Sequence, residues 1–333
     1  MLDHPDTAFT DGGVDYLNLQ LYSEVGAAVL PSGAYTSEVF QRLEDEKIWT
    51  RDWVCIGTTP QIANPFDLLP YTIGNHAIHA QRMPDGTLVG RFNKAQHGGC
   101  RTVPAQCQTG KKTRCSYTSC GFSRDRDVIS GASLQEMSPQ TGQYLGLRPE
   151  RLLPVKLRAA GPLIFANIDP TPESEPDLDA PDLGTHIERR DGNWQEHRSN
   201  WKLAVAAIVD AAEAWAGEVS VKWTFPNLVL VRAHDATLAV ILQPTAMDQT
   251  LWRLSFFAAP DLPEGAFETV RGELFALLER AAGEATARQA TAERTTPGDR
   301  FESSRAASSF NQAVIERITR QHVSYWNVPL MRA

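Results

Sequence analysis

Residues 200–218 read NWKLAVAAIVDAAEAWAGE, and the order of segments around this stretch decides the fold. The stretch predicts a helix from about Trp201 to Trp215, with both tryptophans in the core. Strand-like runs follow it as VSVKWTFPNLVLVRA, ATLAVILQP and TLWRLSFFAAP. Two more helices are predicted, over about Glu264–Arg294 and Ser303–Tyr325. A sheet flanked by a long helix predicts an α+β arrangement for this half of the chain.

The sequence before this half predicts a second, smaller unit. The acidic, proline-rich run DPTPESEPDLDAPD cannot pack a core, so we expect a linker over residues 170–182. Short strand signals between glycine, proline and aspartate turns fill residues 53–169 and predict a β domain. A helix capped by Ser37 is expected over 37–49. The predicted units are a loose arm (1–34), a β domain (35–169), the linker and a second domain (183–333).

Composition excludes several classes of function. The formal net charge of −8 and the pI near 5.5 argue against a nucleic-acid-binding protein, which usually carries a basic face. No apolar run has the length of a membrane span, and the first residues lack the pattern of a signal peptide. We therefore expect a cytoplasmic protein that binds neither membrane nor nucleic acid.

Four of the five cysteines lie close together in the sequence. They share one short window with a histidine, and the set is His97, Cys100, Cys107, Cys115 and Cys120. In a reducing compartment such a window favours metal or redox chemistry over disulfides. Outside it, His76 and His79 are expected to be surface or packing residues, and His234 to lie in a turn.

The order and spacing of the segments resemble the α subunit of the Rieske non-haem iron (aromatic-ring-hydroxylating) oxygenases over nearly the whole chain. The segments that carry the resemblance are YTSEVFQRLEDEKIWTRDWVCIG, LLPYTIGNHAIHAQRMPDGTLVGRFN, LGLRPERLLPVKLRAAGPLIFANIDP, NWKLAVAAIVDAAEAWAGE and FPNLVLV. The resemblance implies an N-terminal all-β Rieske-like domain. It also implies a C-terminal catalytic-type domain with a helix-grip (START-like) fold, made of an antiparallel sheet and a long helix.

The resemblance implies that two loops hold a [2Fe–2S] cluster, one through C-x-H and the other through C-x-x-H. In the first loop Ala95 stands at the cysteine position and only His97 is kept. In the second loop Cys115 is kept, but Thr118 stands at the histidine position. Because a methyl group cannot donate to a metal, we expect no ordinary cluster in this chain.

The same window allows other interpretations. His97, Cys100, Cys115 and Cys120 are four N/S donors on the two loops, a set that suits structural zinc. Alternatively the loops are packed without a metal, since free cysteines are common small core residues. A residual or shared cluster is the third possibility.

The resemblance also implies a catalytic iron held by two histidines and a carboxylate. Aligned on Asn200-Trp201-Lys202, the histidine positions are occupied by Glu213 and Glu218, and the carboxylate position falls near Ala285. Asp210 stands where the family places an aspartate that links the iron site to a neighbouring subunit's cluster. The two glutamates are either solvated acids or ligands of a harder ion such as Mg²⁺ or Mn²⁺.

Three functional hypotheses follow. The chain is a non-catalytic α-like subunit that assembles, in trimers or stacked trimers, with an active Rieske oxygenase α subunit; that partner would bind the [2Fe–2S] cluster, Fe(II) and a small organic or aromatic substrate. Alternatively it is an enzyme of changed chemistry that uses Asp210, Glu213 and Glu218. The third hypothesis is a module that binds a small organic ligand without turnover.

Overall fold

A computed structural model describes residues 9–24, 27–95, 127–135, 152–170, 183, 188–301 and 304–320. Within these ranges, no helix is long and apolar enough to cross a lipid bilayer. Mixed α and β layers are present, as the sequence predicts.

The first helix, α1, spans Glu38–Glu44 and continues as a single π-helical turn over Asp45–Trp49. Ser37 is its N-cap, and the Ser37 side chain accepts a hydrogen bond from the Val39 amide. The expected helix over 37–49 is therefore confirmed in place. The change of winding at Asp45 was not predicted.

The first sheet has six antiparallel strands in the spatial order β1-β6-β5-β4-β3-β2. The strands are β1 (Val54–Thr58), β2 (Leu68–Ile73), β3 (His76–Arg82), β4 (Leu88–Ala95), β5 (Leu152–Ala160) and β6 (Leu163–Asn167). All five residues of β1 and all five of β6 are buried. This is the β domain that the sequence predicts.

The second sheet has five antiparallel strands in the order β7-β11-β10-β9-β8. The strands are β7 (Glu188–His197), β8 (Val219–Thr224), β9 (Leu228–Ala233), β10 (Ala236–Ala246) and β11 (Gln249–Ala258). His234 lies in the turn between β9 and β10 at a φ of 50°, as expected for a tight turn.

Three helices accompany the second sheet: α2 (Trp201–Glu213), α3 (Glu264–Ala292) and α4 (Arg305–Thr319). Helix α2 is apolar around nearly its whole circumference, since eleven of its residues are buried, and such a helix lies between layers. It ends two residues earlier than expected, so Trp215 lies outside the helix and is partly exposed, whereas Trp201 is buried. Of the last predicted helix, residues 321–325 lie outside the described residues.

The prediction of a loose N-terminal arm is wrong for residues 9–24 and 28–34. Tyr16, Leu19 and Leu30 are fully buried, and a short strand at Leu30–Pro31 pairs with Arg300–Phe301. The arm packs there because its apolar side chains bury surface that a solvated segment would expose.

The two sheets are joined through Asn227, in the turn between β8 and β9. Its side-chain oxygen accepts a hydrogen bond from the Cys55 amide at 3.0 Å, and its side-chain nitrogen donates to the Cys55 carbonyl at 2.7 Å. A buried amide that satisfies a strand of the other sheet fixes their relative position. Residues 171–182 lie outside the described residues, so the linker stays a prediction.

Candidate functional site

The site predicted from the sequence lies at the C-terminal end of α2, where this helix packs against α3. Helix α2 is held firmly at its other end. Asn200 caps it by accepting a hydrogen bond from the Lys202 amide at 3.1 Å, and its own amide donates to Gln289 of α3 at 2.9 Å. The position of the predicted site relative to α3 is therefore fixed by buried hydrogen bonds.

Asp210 forms an ion pair within this chain. One Nη atom of Arg288, on α3, lies 2.9 Å from the Asp210 carboxylate, and Nε of Arg288 lies 2.8 Å from Glu284. Burial lowers the pKa of Arg288, but the hydrogen bonds to the two carboxylates outweigh it and raise that pKa above its ordinary value. Asp210 thus faces a permanent cation that its own chain supplies.

Glu213 and Glu218 lie in an open environment. Glu213 is the last residue of α2, Glu218 precedes β8, and both are exposed to solvent. Neither carboxylate makes a hydrogen bond or an ion pair within the part of the chain that the structure describes. This placement is the one expected of solvated acids.

Ala285 is fully buried on α3, one helical turn before Arg288. A methyl group at this position fills space in the core and offers no donor atom. Among the described residues, no three His, Cys, Asp or Glu side chains come together in a group that could hold a metal ion. The predicted iron positions therefore supply two exposed carboxylates, Glu213 and Glu218, and the methyl group of Ala285. This donor set does not fit Fe(II), which the two-histidine, one-carboxylate arrangement selects.

Ala95 is the last residue of β4, so the first of the two predicted cluster loops begins where this strand ends. The other residues of the cysteine window, His97, Cys100, Cys107, Cys115, Thr118 and Cys120, lie outside the described residues. The zinc, metal-free and shared-cluster interpretations all stay predictions. Cys55 lies far from that window in the sequence and is buried in β1, where burial raises the pKa of its thiol.

A buried ion pair that the sequence did not predict lies at the start of α2. Lys202 is fully buried and its ammonium contacts the carboxylate of Glu44, which also accepts a hydrogen bond from the Trp201 indole at 3.1 Å. The ammonium lies 5.1 Å from the centre of the Phe40 ring. Glu44 precedes Lys202 by 158 residues, so no short-range sequence pattern predicts this pair.

His79 is the second feature that the sequence did not predict. This side chain, on β3, is fully buried, and neither ring nitrogen has a hydrogen-bond partner among the described residues. Burial, helped by the charge of nearby Arg91, lowers the pKa of His79 to about 3. His76, on the same strand, is more exposed and lies 3.8 Å from Asp45. His79 is a packing residue, as expected. The sequence did not predict that its ring would lack hydrogen-bond partners among the described residues.

Comparison with solved structures shows the fold. The chain superposes on naphthalene 1,2-dioxygenase from Rhodococcus sp. bound to indole with a TM-score of 0.66 at 12% identity, covering 93% of this chain and 99% of that one. The apo quaternary ammonium Rieske monooxygenase CntA matches with a TM-score of 0.61 at 15% identity, covering 95% of this chain and 99% of that one. The fold is that of a Rieske oxygenase α subunit.

Sequence comparison shows a partial relationship to the α subunits. The biphenyl 2,3-dioxygenase subunit alpha of Rhodococcus jostii (strain RHA1) is 30% identical over 155 residues, which are 46% of this chain and 31% of that protein. The chain thus spans about a third of the length of the first curated relatives it matches. No family model matches the sequence. The chain is therefore Rieske oxygenase α-like in fold over nearly its whole length and in sequence over about half of it.

Proposed function

We propose that this chain is a non-catalytic α-like subunit that assembles with an active Rieske oxygenase α subunit and supports it. The observation that carries the proposal is the state of the C-terminal end of α2. There Asp210 is paired with Arg288 of the same chain at 2.9 Å, and Glu213 and Glu218 are open to solvent. This end of the helix keeps the position of an iron-ligand segment without its ligands.

Coordination chemistry supports the same conclusion from the composition of the site. Non-haem Fe(II) oxygenases bind the metal with two imidazoles and one carboxylate on one face and leave positions open for oxygen. A guanidinium cation at Asp210 would repel a divalent ion from this carboxylate, and Ala285 has no donor. A Rieske cluster would likewise lack donors at Ala95 and Thr118.

A chain that binds neither the cluster nor the iron would still have a role in an assembly with an active subunit. The Rieske α resemblance implies trimers in which electrons pass from the cluster of one subunit to the iron of the next. An active iron that faced the cluster loops of this chain would receive no electrons. We therefore favour stacked trimers, or an arrangement in which each active iron meets an active cluster. The partner would bind the small organic or aromatic substrate.

Co-expression of this chain with an active Rieske α paralogue, each carrying a different tag, tests the proposal. We expect a mixed complex of defined mass by native mass spectrometry, with iron and the visible cluster spectrum confined to the partner. The partner purified alone is the positive control for metal loading. The same metal analysis for zinc tests the cysteine window independently.

Three results would contradict the proposal. Stoichiometric iron in this chain purified alone, or turnover of an aromatic substrate by it with a suitable electron donor, would show an enzyme. Failure to form any complex with active α paralogues would remove the supporting role.

A further inference from the structure

The described residues outline a cleft of about 220 Å³ between the first sheet and strands β7 and β11 of the second. Gln61, Asp127 and Val128 lie on its first-domain side, and Arg189, Trp194 and Arg253 on the other. None of the residues that line the cleft lies on α2 or α3, and neither the resemblance nor the comparisons assign it a role.

Arg189 supplies positive charge to this cleft. The side chain is partly buried, and its Nε donates to the Ser255 hydroxyl at 3.2 Å. No carboxylate hydrogen-bonds to it within the described ranges, because Asp191, the nearest acid along the strand, binds Arg271 at 2.7 Å. Burial lowers the pKa of Arg189. The negative charge of Asp191 raises this pKa, but by less. The two Nη atoms are therefore left to bind an anion.

The shape of the backbone fits this arrangement. A side chain at Gly192, which also lines the cleft, would collide with the guanidinium of Arg189. The absent side chain thus lets the guanidinium lie against the strand at the wall of the cleft. A planar guanidinium held in this way can present two parallel N–H groups to one carboxylate.

The side chain of Gln61 adds a hydrogen-bond donor. Its oxygen accepts from the Thr58 amide at 2.8 Å. Its NH₂ group therefore has no acceptor among the described residues. The acid of the cleft, Asp127, accepts from the Trp194 indole at 3.3 Å. The cleft thus has more donors than acceptors available to a ligand.

We propose that this cleft binds a small aromatic carboxylate. The carboxylate would pair with Arg189 and the Gln61 amide, and the ring would lie against Trp194 and Val128. The cleft volume of about 220 Å³ is large enough for a single-ring acid of benzoate size. The inference does not depend on the proposed subunit role, since none of the residues it uses is a predicted metal ligand.

Titration of the native full-length chain with benzoate, followed by calorimetry and by tryptophan fluorescence, tests the inference. Benzamide and inorganic phosphate are the matched probes, since one keeps the ring without the charge and the other keeps the charge without the ring. We expect benzoate to bind at least tenfold more tightly than either. Equal binding of phosphate, equal binding of benzamide, or no binding of benzoate would each overturn the proposal.

Variants of the residues that line the cleft test whether benzoate binds there. Arg189→Met is expected to weaken benzoate binding at least tenfold, and Arg189→Lys to weaken it less, because lysine keeps the charge but loses the planar fork. Arg232→Met is the matched control, since Arg232 is exposed on β9 and does not line the cleft. If Arg189→Met does not fold, Gly192→Ala, which displaces the guanidinium, takes its place. Unchanged affinity in a folded Arg189→Met or Gly192→Ala protein would rule out this cleft.

Discussion

The two ends of α2 differ in whether their charged side chains are buried. At its start, Lys202 and Glu44 are buried together and held by the Trp201 indole. At its end, Asp210 is partly exposed and paired with Arg288, while Glu213 and Glu218 face solvent. The first end joins α2 to α1 through the core, whereas the second end bears no buried charge. The difference indicates that α2 is fixed in the core at its start and not at its end, where the resemblance places catalytic ligands.

The largest effect is expected at the buried end. Lys202→Met would leave the Glu44 carboxylate buried without its cation, and such a loss typically costs about 3–5 kcal/mol of unfolding free energy. Urea denaturation followed by circular dichroism measures the change. Lys222→Met, on the exposed face of edge strand β8, is the control and is expected to change stability by less than about 0.5 kcal/mol.

A double variant separates the charge pair from packing. Lys202→Met combined with Glu44→Gln removes both charges, so we expect it to lose less stability than Lys202→Met alone. A double variant as unstable as the sum of the two single variants would show that the residues act independently, and the comparison between the two ends of α2 would fail.

His79 extends the comparison, because it is buried like Lys202 but has no hydrogen-bond partner in the part of the chain that the structure describes. His79→Leu is expected to raise the unfolding free energy by about 1 kcal/mol at neutral pH, since a buried polar group without a hydrogen bond is destabilising. His76→Leu is the control on the same strand, and we expect a change below about 0.5 kcal/mol there. A loss of stability in His79→Leu would reveal a partner for the ring.

The pH dependence of the same pair of proteins tests the burial of His79 directly. The folded pKa of about 3 lies below the ordinary value of 6.5, so the unfolded chain binds more protons between these values. Stability is therefore lost as pH falls from 6.5 towards 3, with a slope approaching about 1.4 kcal/mol per pH unit. The difference between the native protein and His79→Leu isolates this contribution from the carboxylates. Parallel curves for the two proteins would show that His79 is solvated.

A smaller effect is expected at the Asp210–Arg288 pair. Both side chains are about one-fifth exposed, so Arg288→Met should cost no more than about 1 kcal/mol. Arg280→Met, an exposed position on the same helix, is the control and should be nearly neutral. A loss as large as that of Lys202→Met would mean that the two ends of α2 do not differ.

The smallest effect is expected for the two exposed carboxylates. Glu213→Gln and Glu218→Gln, singly or together, should change the unfolding free energy by less than about 0.5 kcal/mol, because solvated acids without partners contribute little. Adding Mg²⁺ or Mn²⁺ should not raise the melting temperature of the native protein more than that of the double variant. A metal-dependent stabilisation that the double variant abolishes would support the hypothesis of changed chemistry instead.

The sequence by itself determined the local features of this fold. The Ser37 cap, the strands of the first sheet, strands β8 to β11 of the second sheet and the buried course of α2 follow from short-range patterns, because cap chemistry and hydrophobic periodicity act over a few residues. Strand β7, which is rich in charged residues, was not predicted. The residue types at Ala95 and Thr118, which the resemblance aligns with cluster ligands, are also a property of the sequence alone.

Only the tertiary structure decided which charged side chains are buried and which residue each of them pairs with. The Glu44–Lys202 pair, the Asp210–Arg288 pair and the unpartnered His79 depend on contacts between segments far apart in the chain. Desolvation depends on everything that packs around a side chain, so burial of one charge cannot be read from its neighbours in sequence. For the same reason the arm at residues 9–24, polar enough to suggest a loose segment, is held by Tyr16 and Leu19 in the core.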